Sequence, residues 1–213
     1  MYPLTPLSHV FTGIWNACLS ESLREISYMA ELAGQGSGLS LSIDFMNISF
    51  AGYNDGLENY IEEVFQSLQT FKVEEQFFNN KKAVMIRAFE NEKKKEPYQR
   101  LGDQMSKIMY TSEFDNEELL LAVKEELTFS RFLEMKQKWL KNIRTEWLIM
   151  GHLDEKEAME IVTRGENSLK SKAIDKDQIP IARLVQLPSR SVHEYEQLNL
   201  DSTNPNSAVM CQF

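Results

Sequence analysis

From Val10 to Ala30 the side chains of Val10, Phe11, Ile14, Cys18, Leu19, Leu23, Ile26 and Ala30 recur three or four residues apart. That is the period of a helix with one apolar side. Pro6 opens the element, where proline is tolerated in the first helical turn. Gly34-Gln35-Gly36-Ser37-Gly38 ends it, since so many glycines cannot continue a helix. At roughly 1.5 Å per residue such a helix spans about 40 Å. A one-sided stripe of that length has to lie against something large, and a sheet is the expected partner.

The next residues change period. Leu39, Leu41, Ile43 and Phe45 alternate with Ser40, Ser42 and Asp44, the two-residue repeat of a half-buried strand. The alternation then shifts phase, with Ile48 and Phe50 set between Asn47, Ser49 and Ala51, so a tight turn near 44–47 predicts a hairpin. Asn47-Ile48-Ser49 is formally a glycosylation sequon, but its place in a strand makes a chance match the better reading. Gly52-Tyr53-Asn54-Asp55-Gly56 punctuates the hairpin, and Asn54 or Asp55 is expected to cap the following helix. Leu57, Tyr60, Ile61, Val64, Phe65 and Leu68 supply that helix with a buried side.

Val73 to Leu140 reads as nearly all helical, broken at Glu96-Pro97 and again around 111–115, because a proline biases the residue before it away from helix. Lys93-Lys94-Lys95 beside Glu90, Glu92 and Glu96 is a solvated helical face rather than an anion site. Thr145-Glu146-Trp147-Leu148-Ile149-Met150-Gly151 is short, apolar and stopped by glycine, and is expected to be a central strand. Asp154 then caps a helix running to about Lys172. Beyond Pro188 the character changes. Pro188-Ser189-Arg190-Ser191 reads as a linker, with short strands expected at Val192–Leu198 and Ala208–Phe213 around the polar turn 201–206.

A chain of 213 residues with 42% hydrophobic and 26% charged side chains can build a core without disulfide or metal staples. Cys18 and Cys211 lie near opposite ends with no zinc-ribbon or redox spacing, which fits a reducing, cytoplasmic setting. The net charge of −9 opposes nucleic-acid binding, which needs a basic footprint. No apolar run reaches the ~18 residues a membrane span requires, and the N-terminus lacks the pattern of a secretory signal.

Four short motifs stand in order: Glu31-Leu32-Ala33-Gly34, Gly52-Tyr53-Asn54-Asp55, Gly151-His152-Leu153 and Gln186-Leu187-Pro188. In that order and spacing they resemble the middle domain of the insulin-degrading enzyme (insulysin and pitrilysin) family of zinc metallopeptidases, part of its non-catalytic C-terminal half. The likeness runs from about Pro6 to Pro188. It implies an α+β fold, a mixed and largely antiparallel sheet with long helices packed on one face. It divides the chain into residues 1–188, a middle-domain repeat lacking its first strand, and residues 189–213, a linker and the start of a next repeat. The implied role is a share of a substrate-enclosing chamber, with neighbouring domains of the same peptidase and its peptide substrate as partners and no nucleic acid or membrane. A competing reading is an inert scaffold or assembly subunit that keeps the peptidase shape. A third is a peptide-binding module that uses an open sheet edge.

Chemistry is hard to find in these residues. The family resemblance implies zinc held by His-x-x-Glu-His plus a distant glutamate, in a catalytic half that this chain does not contain. The chain's histidines are His9, His152 and His193. The nearest imitation, His152-Leu153-Asp154-Glu155-Lys156, puts a lysine where the second imidazole belongs and suits a turn into a helix better. His9 lies beside an apolar helical face, and His193 stands in an alternating stretch with no other ligand near it. The family also holds the substrate backbone with an arginine and a tyrosine seven residues apart, and this chain has no such pair. Gly34 to Gly38 lacks the lysine of a phosphate loop and follows a helix. Trp15, Trp139, Trp147, Phe71, Phe77, Phe78 and Phe89 occupy core-like positions. No catalytic, cofactor-binding or metal residues are therefore assigned.

Overall fold

The computed structural model describes residues 5–41, 45–110, 113–175, 178–179 and 183–212. Helix α1 (Pro6–Ser22) starts at a capping box in which the Thr5 hydroxyl accepts from the Ser8 amide and Ser8 returns a bond to the Thr5 amide. Two otherwise orphaned helix-end donors are satisfied this way. Its buried face is Val10, Phe11, Ile14, Cys18 and Leu19, as the stripe predicts, together with Leu7 and Trp15. The single long helix is interrupted at Leu23, and α2 (Arg24–Leu32) follows at once. At the interruption the Leu19 carbonyl accepts both the Ser22 hydroxyl at 2.8 Å and the Leu23 amide at 2.9 Å.

Strands β1 (Gly36–Leu41) and β2 (Met46–Ala51) form the expected antiparallel hairpin, with Gly36 opposite Ala51 and Leu41 opposite Met46. Along β2 exposure alternates, so Met46, Ile48 and Phe50 face the core while Asn47, Ser49 and Ala51 face out. Ile43, Asp44 and the start of the turn lie outside the described residues. Helix α3 (Leu57–Thr70) buries Tyr60, Ile61, Val64, Phe65 and Leu68. Its cap is Gly56 at φ +80°, not Asn54 or Asp55, and no side chain bonds its first turn. The Asp55 carbonyl and the Asn54 side chain are occupied elsewhere, as described below.

Next come α4 (Glu75–Asn91), a 3₁₀ turn at Glu92–Lys94 and α5 (Pro97–Met109), with the break falling at Glu96 and Pro97 as expected. Helix α6 (Asn116–Leu121) runs into a wide π turn, Ala122–Glu126, and then α7 (Phe129–Trp139). The Lys82 ammonium donates to the carbonyls of Lys124 (3.2 Å) and Leu127 (2.8 Å), supplying partners at the end of that irregular turn. Helix α1 is the hub, in contact with α2, α4, α6, α7, the π turn and β1. At its centre Phe11 meets Phe132 (ring centroids 5.4 Å) and Trp139 (5.8 Å), and Trp15 sits edge-on to Trp139 at 4.5 Å. The long stripe thus finds most of its partner surface in other helices rather than in a broad sheet.

Helix α8 (Glu155–Leu169) begins at Asp154, whose carboxylate accepts from the Glu157 amide at 2.9 Å. It packs along α3, where Arg164 reaches Glu58 and Glu62, each at 2.7 Å. Between α7 and α8, β3 (Asn142–Ile143) pairs in parallel with β4 (Lys172–Ala173). The architecture is α+β, with its strands divided between the hairpin and this short pair among the described residues.

Three strand expectations are corrected. Residues 145–151 are extended and alternate in exposure, yet they form no backbone ladder. Pairing needs a second edge, and among the described residues none is bonded to this run. The stretches 192–198 and 208–212 are also unpaired; Phe213 lies outside the described residues. They run over α5, where Gln197 accepts from Arg100 at 3.5 Å and the Asn204 and Asn206 amides donate to Glu96. The expected turn between them is present, closed by Asn204 N–H to the Asp201 carbonyl at 3.1 Å.

Candidate functional site

Three of the four motifs singled out in the sequence meet at one junction. At the end of α2, Gly34 adopts φ +74°, a conformation that costs glycine little, and the Tyr53 ring closes over it. A side chain on Gly34 would come within 3.0 Å of that ring. Gly52 stands at φ +150° against the main chain of Gln35, where an added Cβ would lie 2.8 Å from the Gln35 Cα and 2.9 Å from the Gly34 oxygen. Gln35, buried at 8% exposure, donates its side-chain amide to the Asp55 carbonyl at 2.7 Å. Asn54 in turn donates to the His152 carbonyl at 3.1 Å, across 98 positions of sequence. The junction therefore fixes the helix end, the exit of the hairpin and the approach to α8. Gln186-Leu187-Pro188 is exposed, just past the bridge of Leu184 to Tyr110.

At this junction the described groups are used to hold backbone geometry. His152 contributes its main-chain oxygen, and the Asp154 that follows is spent on capping α8. The other two imidazoles are elsewhere. His9 lies on α1 with its residue exposed overall, its ring edge-on to Phe114 at 6.4 Å, and partial desolvation of the ring lowers its proton affinity despite the nearby Glu113 carboxylate. His193 is exposed and shares a 2.9 Å bond with Ser191. That Ser-His contact has no orienting third group among the described residues and no enclosed surroundings, so it lacks what a nucleophile needs. Among the described residues no three His, Cys, Asp or Glu side chains are grouped to hold a metal ion. The donor set does not fit a zinc centre, which takes three protein ligands when catalytic and four when structural.

The remaining candidates resolve into packing and surface. Trp15, Phe71 and Phe78 are buried, while Trp139, Trp147, Phe77 and Phe89 are half-buried against the same core. Lys95 pairs with Glu92 at 2.8 Å on an exposed face, as a solvated charge run does. A groove of about 490 Å³ lies along α3 and α8, but its arginine, Arg164, is already matched by Glu58 and Glu62. Cys18 is buried beside Lys136 and Lys81, and burial pushes its thiol up to about 11. No helix among the described residues is long and apolar enough to cross a membrane. The sequence missed Gln35 and Arg164: a polar residue gives no local sign that its partner lies 20 or 106 positions away.

The fold and the junction define an α+β domain organised around shape, with its motif residues committed to backbone geometry. The chain belongs to the peptidase M16 family, matching the family model described as "Middle or third domain of peptidase_M16" over residues 2–122. It is 29% identical over 198 residues to insulin-degrading enzyme of Homo sapiens, covering 91% of this chain and 19% of that protein. It is 28% identical over 218 residues to insulin-degrading enzyme-like 2 of Arabidopsis thaliana, covering 97% and 22%. The A-factor-processing enzyme of Saccharomyces cerevisiae is 25% identical over 213 residues, covering 95% and 20%. The chain thus spans about a fifth of the length of these curated relatives.

Proposed function

We propose that this chain is a non-catalytic segment of a zinc metalloendopeptidase like insulin-degrading enzyme, and that it forms part of the wall enclosing the substrate. The observation that carries this reading is the match to a middle or third domain over residues 2–122, with likeness to the relatives continuing over more than nine-tenths of the chain. Residues 1–188 then act as the middle-domain repeat and residues 189–213 as the approach to the next one. Neighbouring domains of the same peptidase are its partners, and a peptide held in the closed chamber is the shared substrate. Zinc belongs to the catalytic half of such a protein and not to these residues. The expected compartment is the cytoplasm. A wall of this kind contributes to catalysis by holding a peptide in register near groups supplied from elsewhere.

The test is to assay fluorogenic peptide hydrolysis by the catalytic half of a relative with and without the purified chain, and to measure zinc in the chain after dialysis. Zinc-free chain that raises hydrolysis only when the catalytic half is present is the expected result. Stoichiometric zinc, or chelator-sensitive cleavage by the chain alone, would overturn the proposal.

A further inference from the structure

The residue that α5 buries is a charged one, Arg100, at 8% exposure. An arginine is almost never so enclosed unless an opposite charge lies against it. Here, among the described residues, no carboxylate stands within ion-pair distance of the guanidinium. Its hydrogen bond is one long contact, 3.5 Å to the neutral Gln197 Oε1. Bonds from a charged donor ordinarily close to about 2.7–2.9 Å, so most of its N–H groups are left without a protein partner.

The packing of α5 does not account for this group. Glu96 and Asp103 lie one turn to either side of it on the helix, and both are engaged elsewhere. The Glu96 carboxylate takes the Asn204 amide at 3.0 Å and the Asn206 amide at 3.3 Å, and Asp103 faces Lys95 at 3.9 Å. Residues 195–206 are therefore fastened to α5 through Glu96, and their turn is closed by their own bonds, Asn199 to the Asn204 carbonyl at 3.1 Å and the Thr203 amide to Asp201 at 2.9 Å. Arg100 adds one weak contact to that set. Its head is not sealed either. The enclosed side-chain nitrogens and oxygens without a partner, among the described residues, belong to Trp15, Asn16 and Trp147. The free N–H groups of Arg100 thus still meet solvent, through a narrow opening.

We propose that Arg100, beneath residues 195–206, is a binding site for one carboxylate. Burial has stripped most of the guanidinium's hydration and the fold supplies no counter-ion, so an arriving anion restores the electrostatic partner that the cation lacks. A carboxylate is flat and can accept two parallel N–H bonds from one guanidinium edge. The narrow opening suits that plane better than a tetrahedral oxyanion. The carboxylate comes from a free organic acid or from an acidic side chain on a peptide, and the test separates the two. The site does not depend on the chamber reading and involves neither zinc nor hydrolysis.

The probes are acetate and the blocked tripeptide Gly-Glu-Gly, each titrated into the isotope-labelled chain at constant ionic strength set with chloride. The Arg100 Nε–H resonance, identified by its loss in Arg100→Lys, should move saturably with a midpoint below about 50 mM. In Gln197→Glu the neighbouring segment itself supplies a carboxylate, so the midpoint should rise at least about tenfold while the fold is kept. A tripeptide at least about tenfold tighter than acetate assigns a side chain as the source, and acetate equal or tighter assigns a free acid. No saturation up to about 200 mM, an equal response to sulfate, or equal binding of the tripeptide Gly-Gln-Gly would overturn the proposal. So would saturation in Glu96→Gln but not in the native chain, because Glu96 would then be the counter-ion in solution.

Discussion

Replacing Gly165 by alanine sets two effects of opposite sign against each other. In the interior of α8, alanine is favoured over glycine by about 1 kcal/mol through helix propensity. Gly165 is buried against α3 and the 145–151 segment, however, and its new Cβ would lie 2.5 Å from Trp147 Cη2, 3.0 Å from Trp147 Cζ2 and 3.2 Å from Phe65 Cε2. Carbon atoms prefer about 3.5–4.0 Å, so the far edge of the indole has to retreat by roughly 1 Å. Overpacking of that order costs about 1–3 kcal/mol. The balance is a net loss of about 0–2 kcal/mol, against the gain that propensity alone would give. Trp147→Phe removes the two indole atoms that clash. In that background Gly165→Ala should be neutral or stabilising, and the coupling between the two sites should be about 1–3 kcal/mol. Urea unfolding of the four proteins, followed by far-ultraviolet circular dichroism, measures it. If Gly165→Ala shifts stability equally in both backgrounds, or stabilises the native chain, then Trp147 is not seated on α8 as described.

Three further outcomes follow from buried groups. Cys18, with its thiol pushed up to about 11 by burial, should resist iodoacetamide at pH 8 until the chain unfolds, while exposed Cys211 reacts at once; mass spectrometry finding both labelled equally fast would contradict this. His9 has its ring held below 6.5 by burial, so the unfolded chain takes up this proton first. Stability present above pH 6.5 should fall as the pH drops from there through the folded value, and His9→Gln should flatten that part of a chemical-denaturation series. Phe132→Ala, which empties a fully buried position between the rings of Phe11 and Phe78, should cost about 3–5 kcal/mol in the same urea assay, and a loss below about 1 kcal/mol would place this ring outside the core.

Much of the helical framework was legible because its signals are local. Pro6 and Asp154 mark helix starts within one turn, and the expected stripe names five of the buried residues of α1 (Val10, Phe11, Ile14, Cys18 and Leu19) while leaving out Leu7 and Trp15. Helix α3 was equally clear on its buried side, yet its cap was misread because Asn54 and Asp55 are good capping residues in isolation. The Asn54 side chain is instead spent on the distant His152 carbonyl, and the Asp55 main-chain carbonyl is held by Gln35. The same limit explains residues 145–151. Alternation reports which side of a backbone is wet, and it does so correctly here. A ladder is a property of two edges, and one sequence stretch cannot announce whether the second edge is beside it. The break at Leu23 was not legible because it falls inside an apolar stripe that continues across it.

The motifs that carry the family likeness now have a common physical explanation. Gly34 and Gly52 are positions where the main chain is left-handed or passes within contact distance of another main chain, so a Cβ is excluded by geometry rather than by chemistry. Gln35 and Asn54 satisfy carbonyls that would otherwise be stranded where three segments converge. None of the four offers a nucleophile, a proton carrier or a metal donor set. Residues of three of the four motifs, with Gln35, thus fix the meeting of a helix end, a hairpin and an extended run, while Gln186-Leu187-Pro188 lies exposed beyond that junction.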